Sequence, residues 1–234
     1  MKSLRDKMFG SPSSNGRTGS APKVTHYISE EGASFVLDSS RPTPLLRFDG
    51  DAEVWALTPT PGTKGDIIYK NDLGEPMLKA TRWGGMVLYS DDRPMGDPAA
   101  ASGKAEAFRP AMMTPVLLWQ SLAKASRRAS QAVERLIPFD AQGATPESAA
   151  LYADAFDVTS NAIVRVAQNS RSGRKLANIR EVHFVEGRPP SVRVEKGILV
   201  MKLDSSRGAW GGRVSSKRIS NVLTASYSIA DDRR

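Results

Sequence analysis

Residues able to do chemistry are sparse in this chain. It has two histidines, His26 and His183, and no cysteine. Structural zinc sites are built from Cys and His, so a metal centre here would need an unusual donor set. His183 and Glu186 lie three apart, and alternation along a strand would turn them to opposite faces. Both histidines are therefore read as ordinary, and no metal is expected. No Gly-x-Ser-x-Gly elbow occurs. Ser121-Leu122-Ala123-Lys124 has the Ser-x-x-Lys spacing of penicillin-binding enzymes, and Thr159-Ser160-Asn161 loosely echoes their second motif. No Lys-Thr-Gly or Lys-Ser-Gly follows, and Ser121 falls inside a helix, away from the positive field of its start. The match is read as coincidence.

Phosphate loops are missing in both the Gly-x-x-x-x-Gly-Lys and the Gly-x-Gly-x-x-Gly form, so no nucleotide or other cofactor is expected. Gly208 to Gly212 has arginines on both sides and could cradle an anion, but reads better as a flexible loop anchored by Trp210. The close carboxylate pairs are Asp91 with Asp92, Asp49 with Asp51, and Asp154 with Asp157. The last shares a helix face, which suits salt bridges more than acid–base work. Tyr69-Lys70, Arg82-Trp83 and Tyr89 put aromatic rings among cations, the pattern of a single-strand nucleic-acid surface, without any helix-turn-helix or RNA-binding signature.

The elements that would position these residues are β, then α, then β. Short strands are expected at His26–Ile28, Ser34–Leu37, Leu45–Phe48 and Glu53–Leu57. A three-strand meander follows over 66–90, with Asn71-Asp72-Leu73-Gly74 and Gly84-Gly85 as turns. The stretch 91–104, rich in Pro, Gly and Ala, reads as a loop. Thr114-Pro115 starts a helix whose stripe is Leu118, Leu122, Ala125, Ala129, Ala132 and Leu136, ending at Pro138. Thr145-Pro146-Glu147 starts a second, with Tyr152, Phe156, Thr159, Ile163 and Val166 as its stripe and Gly173 as its C-cap. The connection of about eight residues predicts an antiparallel helical hairpin. Strands return at 181–185, 192–194 and 198–203. Ile198 and Val200 on one face and Leu199, Met201 and Leu203 on the other point to a central strand buried on both sides. Residues 219–229 fit either a helix or a strand, and their Ser and Thr content favours strand.

The fold class is therefore α+β. A basic tail over 1–22 precedes one domain over 23–230, made of a β region (24–90), the helical hairpin (114–176) and a second β region (181–229). The tail to Lys23 holds five cations and one anion of a chain with net charge +8. Its composition is that of a disordered segment. Lys124, Arg127, Arg128 and Arg135 form a basic row on the first helix, and Arg171, Arg174, Lys175 and Arg180 a second cluster. No transmembrane segment is expected, because no run of about 18 apolar residues occurs. The first residues carry no secretory signal. The protein is therefore expected to be cytoplasmic if Met1 is the native start, and periplasmic or otherwise exported if a leader was removed.

Leu46-Arg-Phe-Asp-Gly, Glu53-Val-Trp-Ala-Leu-Thr-Pro, the run from Gly65 to Arg82, Arg93-Pro-Met-Gly and Phe184-Val-Glu-Gly-Arg-Pro-Pro together resemble a bacterial family of unknown function. The resemblance covers 24–203. It implies a small, often exported protein and brings no activity or site residues. The expectation is a non-enzymatic binding or structural module of the bacterial cell envelope, whose partner is an unknown protein or envelope component. Its expected contact surface is Lys124, Arg127, Arg128 and Arg135 with Tyr69, Trp83 and Trp210. A nucleic-acid-binding protein and a hydrolase of unrecognised type are the alternatives.

Overall fold

The computed structural model describes residues 23–169, 176 and 178–225. The basic tail, the Gly173 cap, Arg171, Arg174 and Lys175, and the end of the chain from 226 lie outside them. The described chain is an α+β structure with two sheets. Among the described residues no helix is long and apolar enough to cross a membrane.

The first sheet is antiparallel throughout. Its strands are β1 (Val24–Ser29), β2 (Ser34–Asp38), β3 (Leu45–Phe48), β4 (Trp55–Ala56), β5 (Thr58–Pro61), β6 (Ile67–Lys70), β7 (Pro76–Ala80), β8 (Met86–Ser90) and β9 (Arg93–Lys104), in the spatial order β4-β3-β2-β1-β9-β8-β7-β6-β5. The two edge strands, β4 and β5, are separated in the chain by Leu57 alone. One segment therefore pairs with β3 at its start and with β6 at its end, and the sheet curls into a nearly closed barrel. Strand alternation turns Tyr27, Phe35, Leu37, Leu46, Leu57, Tyr69, Leu78, Met86 and Leu88 into one buried cluster, with Tyr27 stacked on Phe35 across the β1–β2 ladder.

The expected loop over 91–104 is instead largely strand β9. Its first half pairs with β8 and its second half with β1, so most of its length carries a ladder on one side at a time. Pro94 and Pro98, in the first half, are tolerated for that reason. Gly96 has φ +92 beside a register shift, and a Cβ there would sit 2.5 Å from Val87 Cγ1.

The second layer has a four-stranded sheet in the order β10-β11-β13-β12, formed by β10 (Phe139–Gln142), β11 (Glu181–Glu186), β12 (Ser191–Glu195) and β13 (Ile198–Leu203). β10, β11 and β13 run parallel, and β12 is antiparallel to β13. Its helices are α1 (Pro115–Ala132), α2 (Ala149–Gln168), the short α3 (Gly208–Gly211) and α4 (Ser216–Ala225). β10 lies inside the expected interhelix loop and overturns the antiparallel hairpin. The chain returns along β10 before starting α2, so the helices run in the same direction. Pro115 and Leu118 meet Pro146 and Ala149 around one cavity at the helix starts, and Arg128 reaches Asp157 and Asn161 further along. β10-α2-β11 is a parallel crossover unit.

α2 is the centre of this layer. Twelve of its 20 residues are buried, because α1, α4 and the sheet surround it. Phe156 packs edge-on against Phe184 at 4.7 Å. The Thr114 cap is as expected, with its side chain accepting from Leu117 N. α1 stops at Ala132, well before Pro138, and Glu134 takes φ +55. Leu136 consequently leaves the stripe and is exposed. α2 starts at Ala149, after the Thr145-Pro146 turn. β13 is central, but only Leu199, Met201 and Leu203 are buried; Ile198 and Val200 are half-buried on the open face. The loop around Trp210 holds α3, and 216–225 is helical rather than a strand, burying Ile219 and Leu223 at i, i+4.

Gly212 fixes the turn after α3 close to α2. A Cβ there would meet Asp204 O at 2.4 Å and Leu151 Cδ2 at 2.8 Å. Its backbone conformation is ordinary, with φ −83, so the constraint is space. Gly212→Ala is expected to lower stability by about 1–3 kcal/mol in chemical denaturation, while Gly208→Ala tests a positive φ in open space and is expected to cost about 1 kcal/mol.

Candidate functional site

The two layers meet at Arg213, which is 5% exposed. Its Nε donates to Asp154 of α2, its Nη1 lies 3.4 Å from Glu53 Oε1 on the barrel, and its Nη2 donates to Val54 O at 3.0 Å. Glu53 also accepts from Ser216 N at 2.9 Å and Ser216 Oγ at 2.5 Å. Asp72, in the β6–β7 turn, accepts from Ser215 N at 2.9 Å, and Arg218 donates to the Asp72 carbonyl. Two barrel carboxylates thus satisfy amides at the start of α4, where the helix field also favours negative charge. Burial pushes the Glu53 carboxyl above its ordinary 4.5 and that of Asp154 above 3.8, with Arg213 opposing both shifts. Burial alone would pull the guanidinium down, but Asp154 and Glu53 outweigh it and hold it above its ordinary value.

Beside this junction lies a cavity of about 1050 Å³ between barrel and helices. Trp55, Trp210, Pro42, Pro59, Pro189 and Pro190 supply flat apolar walls. Its charged lining is Arg41, Lys70, Arg207, Arg213 and Arg218 against the single carboxylate of Asp72. Most of these cations are engaged: Arg207 with Asp204, Arg218 with Asp72, and Arg41 with the Phe108 carbonyl. Lys70 has no ion-pair partner among the described residues. Three buried polar atoms of the lining residues also lack hydrogen-bond partners: Trp55 Nε1, Asp72 Oδ1 and Arg218 Nε. Arg218 Nε sits 3.2 Å from Asp72 Oδ2, within ion-pair reach but off the line of a hydrogen bond. Unpaired buried groups are costly, and these three lie behind the surface of the cleft rather than on it.

The residues expected from sequence do not form one surface. Tyr69 is buried in the barrel core. Trp83 is exposed at the β7–β8 turn, under the guanidinium of Arg82 at 4.3 Å. Arg128 and Arg135 are structural: the first bonds Asn161 and pairs with Asp157, and the second donates to the carbonyls of Leu176 and Ile179. Lys124 and Arg127 remain exposed. Trp210 alone reaches the cleft, edge-on to Phe108 at 6.3 Å. The cleft-lining Asp72 and Lys70 had drawn attention only as a turn residue and as a strand cation. What sequence could have shown is the run Arg213-Val-Ser-Ser-Lys-Arg218, whose cations and hydroxyls fit a junction with carboxylates.

A second constellation was missed. His26 Nδ1 lies 2.5 Å from Ser102 Oγ, and its Nε2 lies 2.7 Å from Asp49 Oδ2. Ser102 is the extra residue at the β1–β9 register shift, where a bulge re-aims its side chain. The Asp49 contact fits an Nε2–H tautomer and leaves the Nδ1 lone pair for the serine hydroxyl. That hydroxyl also lies 3.2 Å from the His26 carbonyl, a competing acceptor. Hydrogen bonding from His26 holds the Asp49 carboxyl below its usual range. The trio sits on the open barrel wall, outside the cleft at Arg213 and the cavity at the helix starts, with about half of the Asp49 side chain exposed. General-base catalysis needs a substrate held in place as well as a proton acceptor. His183 bonds Glu181 at 2.9 Å, while Glu186 accepts from Ser205. Among the described residues no group of three or more His, Asp or Glu is placed to hold a metal ion.

A family described as "Domain of unknown function (DUF4908)" matches residues 3–223. No curated protein and no solved structure matches.

Arg213→Met leaves Glu53 buried and Asp154 half-buried without their counter-charge and is expected to cost about 3 kcal/mol at pH 7. A carboxyl whose pKa is higher folded than unfolded favours the folded state at low pH, and that advantage is lost as pH rises through the folded value. Removing Arg213 raises both carboxyls further, so the penalty should shrink between pH 7 and pH 5 in paired denaturation curves; a constant penalty would contradict the burial of charge. For the exposed trio, Ser102 is expected to stay unlabelled by a fluorophosphonate at neutral pH, and stoichiometric labelling in mass spectrometry would establish it as a nucleophile.

Proposed function

The chain belongs to the DUF4908 family, which brings no reaction with it, and from the geometry we propose a non-enzymatic binding module that takes an acidic glycan segment into the cleft between barrel and helices. The observation that carries this reading is the cleft's chemistry. A sugar ring offers a flat apolar face to Trp55, Trp210 and the prolines. Its hydroxyls accept hydrogen bonds, which suits a lining rich in cations. A carboxylate or phosphate on the chain would meet Lys70 and the guanidinium of Arg41. The nearby carboxylates are committed to backbone amides and to Arg213, an arrangement that suits holding a ligand more than turning one over.

An acidic glycan is a component of bacterial envelopes, and on that chemistry we propose the envelope as the protein's location. Recovery of the native protein with the envelope fraction of its host cells is the expected outcome, and recovery in the cytosolic fraction would remove the location.

Binding is tested with an oligogalacturonate, a neutral chitin oligomer and a single-stranded oligonucleotide as probes, read by tryptophan fluorescence and calorimetry. The oligogalacturonate should bind saturably and the neutral oligomer more weakly. Lys70→Gln should weaken the acidic probe about tenfold, the worth of one charge-assisted hydrogen bond. Preferential binding of the oligonucleotide with a steep salt dependence would favour the nucleic-acid reading instead.

A further inference from the structure

The start of α1 presents an apolar surface that the fold leaves open. Met112 is 94% exposed, Val116 65%, Leu117 46% and Trp119 70%. These four fall within eight residues. Large apolar residues scattered singly are normal on a surface, whereas a contiguous group marks an interaction site. The buried side of the same helix is Leu122, Ala125 and Ala129. At 100° per residue, Val116, Leu117 and Trp119 lie on the opposite arc, with Leu117 and Trp119 at its flanks.

Beside the patch lies an apolar cavity of about 290 Å³ between the starts of the parallel helices α1 and α2. Trp119 and Met113 line it, together with Leu118, Leu122 and Phe156. The patch therefore opens onto space fit for an apolar group.

The charges around the patch choose the occupant. Arg109 precedes it, and Lys124 and Arg127 follow on the same outer arc of α1. All three are exposed, and none has a carboxylate partner among the described residues. Lys124 lies about 12 Å along the axis from Val116, so an apolar end inserted by about 5–10 Å leaves it at the headgroup level. The opposing charges are Glu106 three residues before Arg109, Glu147 beside the cavity and Glu134 past the helix end. A second copy of the chain laid parallel and in register on this arc would bring Lys124 and Arg127 against their own kind.

We propose that the first two turns of α1 dock on an anionic phospholipid bilayer, inserting Met112, Val116, Leu117 and Trp119 while Arg109, Lys124 and Arg127 meet the headgroups. This surface is separate from the cleft and does not depend on the glycan reading. It is a peripheral contact and requires no spanning helix.

The test is co-sedimentation of the whole chain with phosphatidylcholine vesicles, with and without phosphatidylglycerol. The protein should sediment with the anionic vesicles at least tenfold more strongly than with the neutral ones, and its tryptophan emission should shift to the blue. Leu117→Asp and Trp119→Ser, both at exposed positions, should abolish sedimentation with the circular dichroism unchanged. Lys124→Gln with Arg127→Gln should remove most of the preference for anionic lipid, since each cation near such a surface contributes several-fold. Absence of sedimentation with either vesicle would overturn the proposal. So would a dimer in sedimentation velocity that Leu117→Asp dissociates, which would show a second copy as the occupant.

Discussion

A guanidinium buried between carboxylates of two layers is the constraint on which this structure depends. Arg213 directs its donors to Asp154 on the central helix, to Glu53 on the barrel and to the Val54 carbonyl. Desolvating three charges is expensive, so the network contributes little net stability over an apolar packing of the same shape. Its effect is selective. An alternative docking of the layers would strand at least one charge without a partner, whereas slippage of an apolar interface would cost far less. The same stretch supplies Ser215, Ser216 and Arg218 to Glu53 and Asp72, so the start of α4 and the barrel rim are fixed together. The cleft between the layers inherits its shape from this junction.

Much of the barrel was legible in sequence because its turns announce themselves. Asn71 accepts from the amides of Leu73 and Glu75, and Gly74 takes φ +81, so the meander's first turn is written locally. β9 was hidden because Pro94, Gly96 and Pro98 argue against a strand that carries ladders on both sides, whereas β9 gives each half a different neighbour. β10 was hidden by its length of four residues, and missing it reversed the relative direction of the two helices. α4 was misread because its start is capped by Glu53 and Asp72 from other parts of the chain. Ser and Thr content is a weak guide where tertiary partners satisfy the first amides.

The candidate site was less legible than the fold. Arg128 and Arg135 look like half of a basic docking row in sequence, and both are absorbed in holding α1 to α2 and to the segment before β11. Sequence periodicity places a residue on a face but does not reveal whether its charge is already satisfied. The cleft joins residues more than 100 positions apart, such as Asp72 with Ser215 and Arg218, and spacing carries no trace of that. The His26–Asp49–Ser102 trio is of the same kind: each residue is ordinary in its own segment, and only the curvature of the barrel and one bulge bring them together.

The central claim, that Glu53 and Arg213 fasten the barrel to the helical layer through direct charge coupling, is tested most directly by a double-mutant cycle. Glu53→Gln, Arg213→Met and the double variant are compared with the parent chain in equilibrium denaturation. Direct coupling predicts an interaction energy of about 2 kcal/mol or more. Additivity within about 0.5 kcal/mol would contradict it and leave the layers held by apolar contact alone.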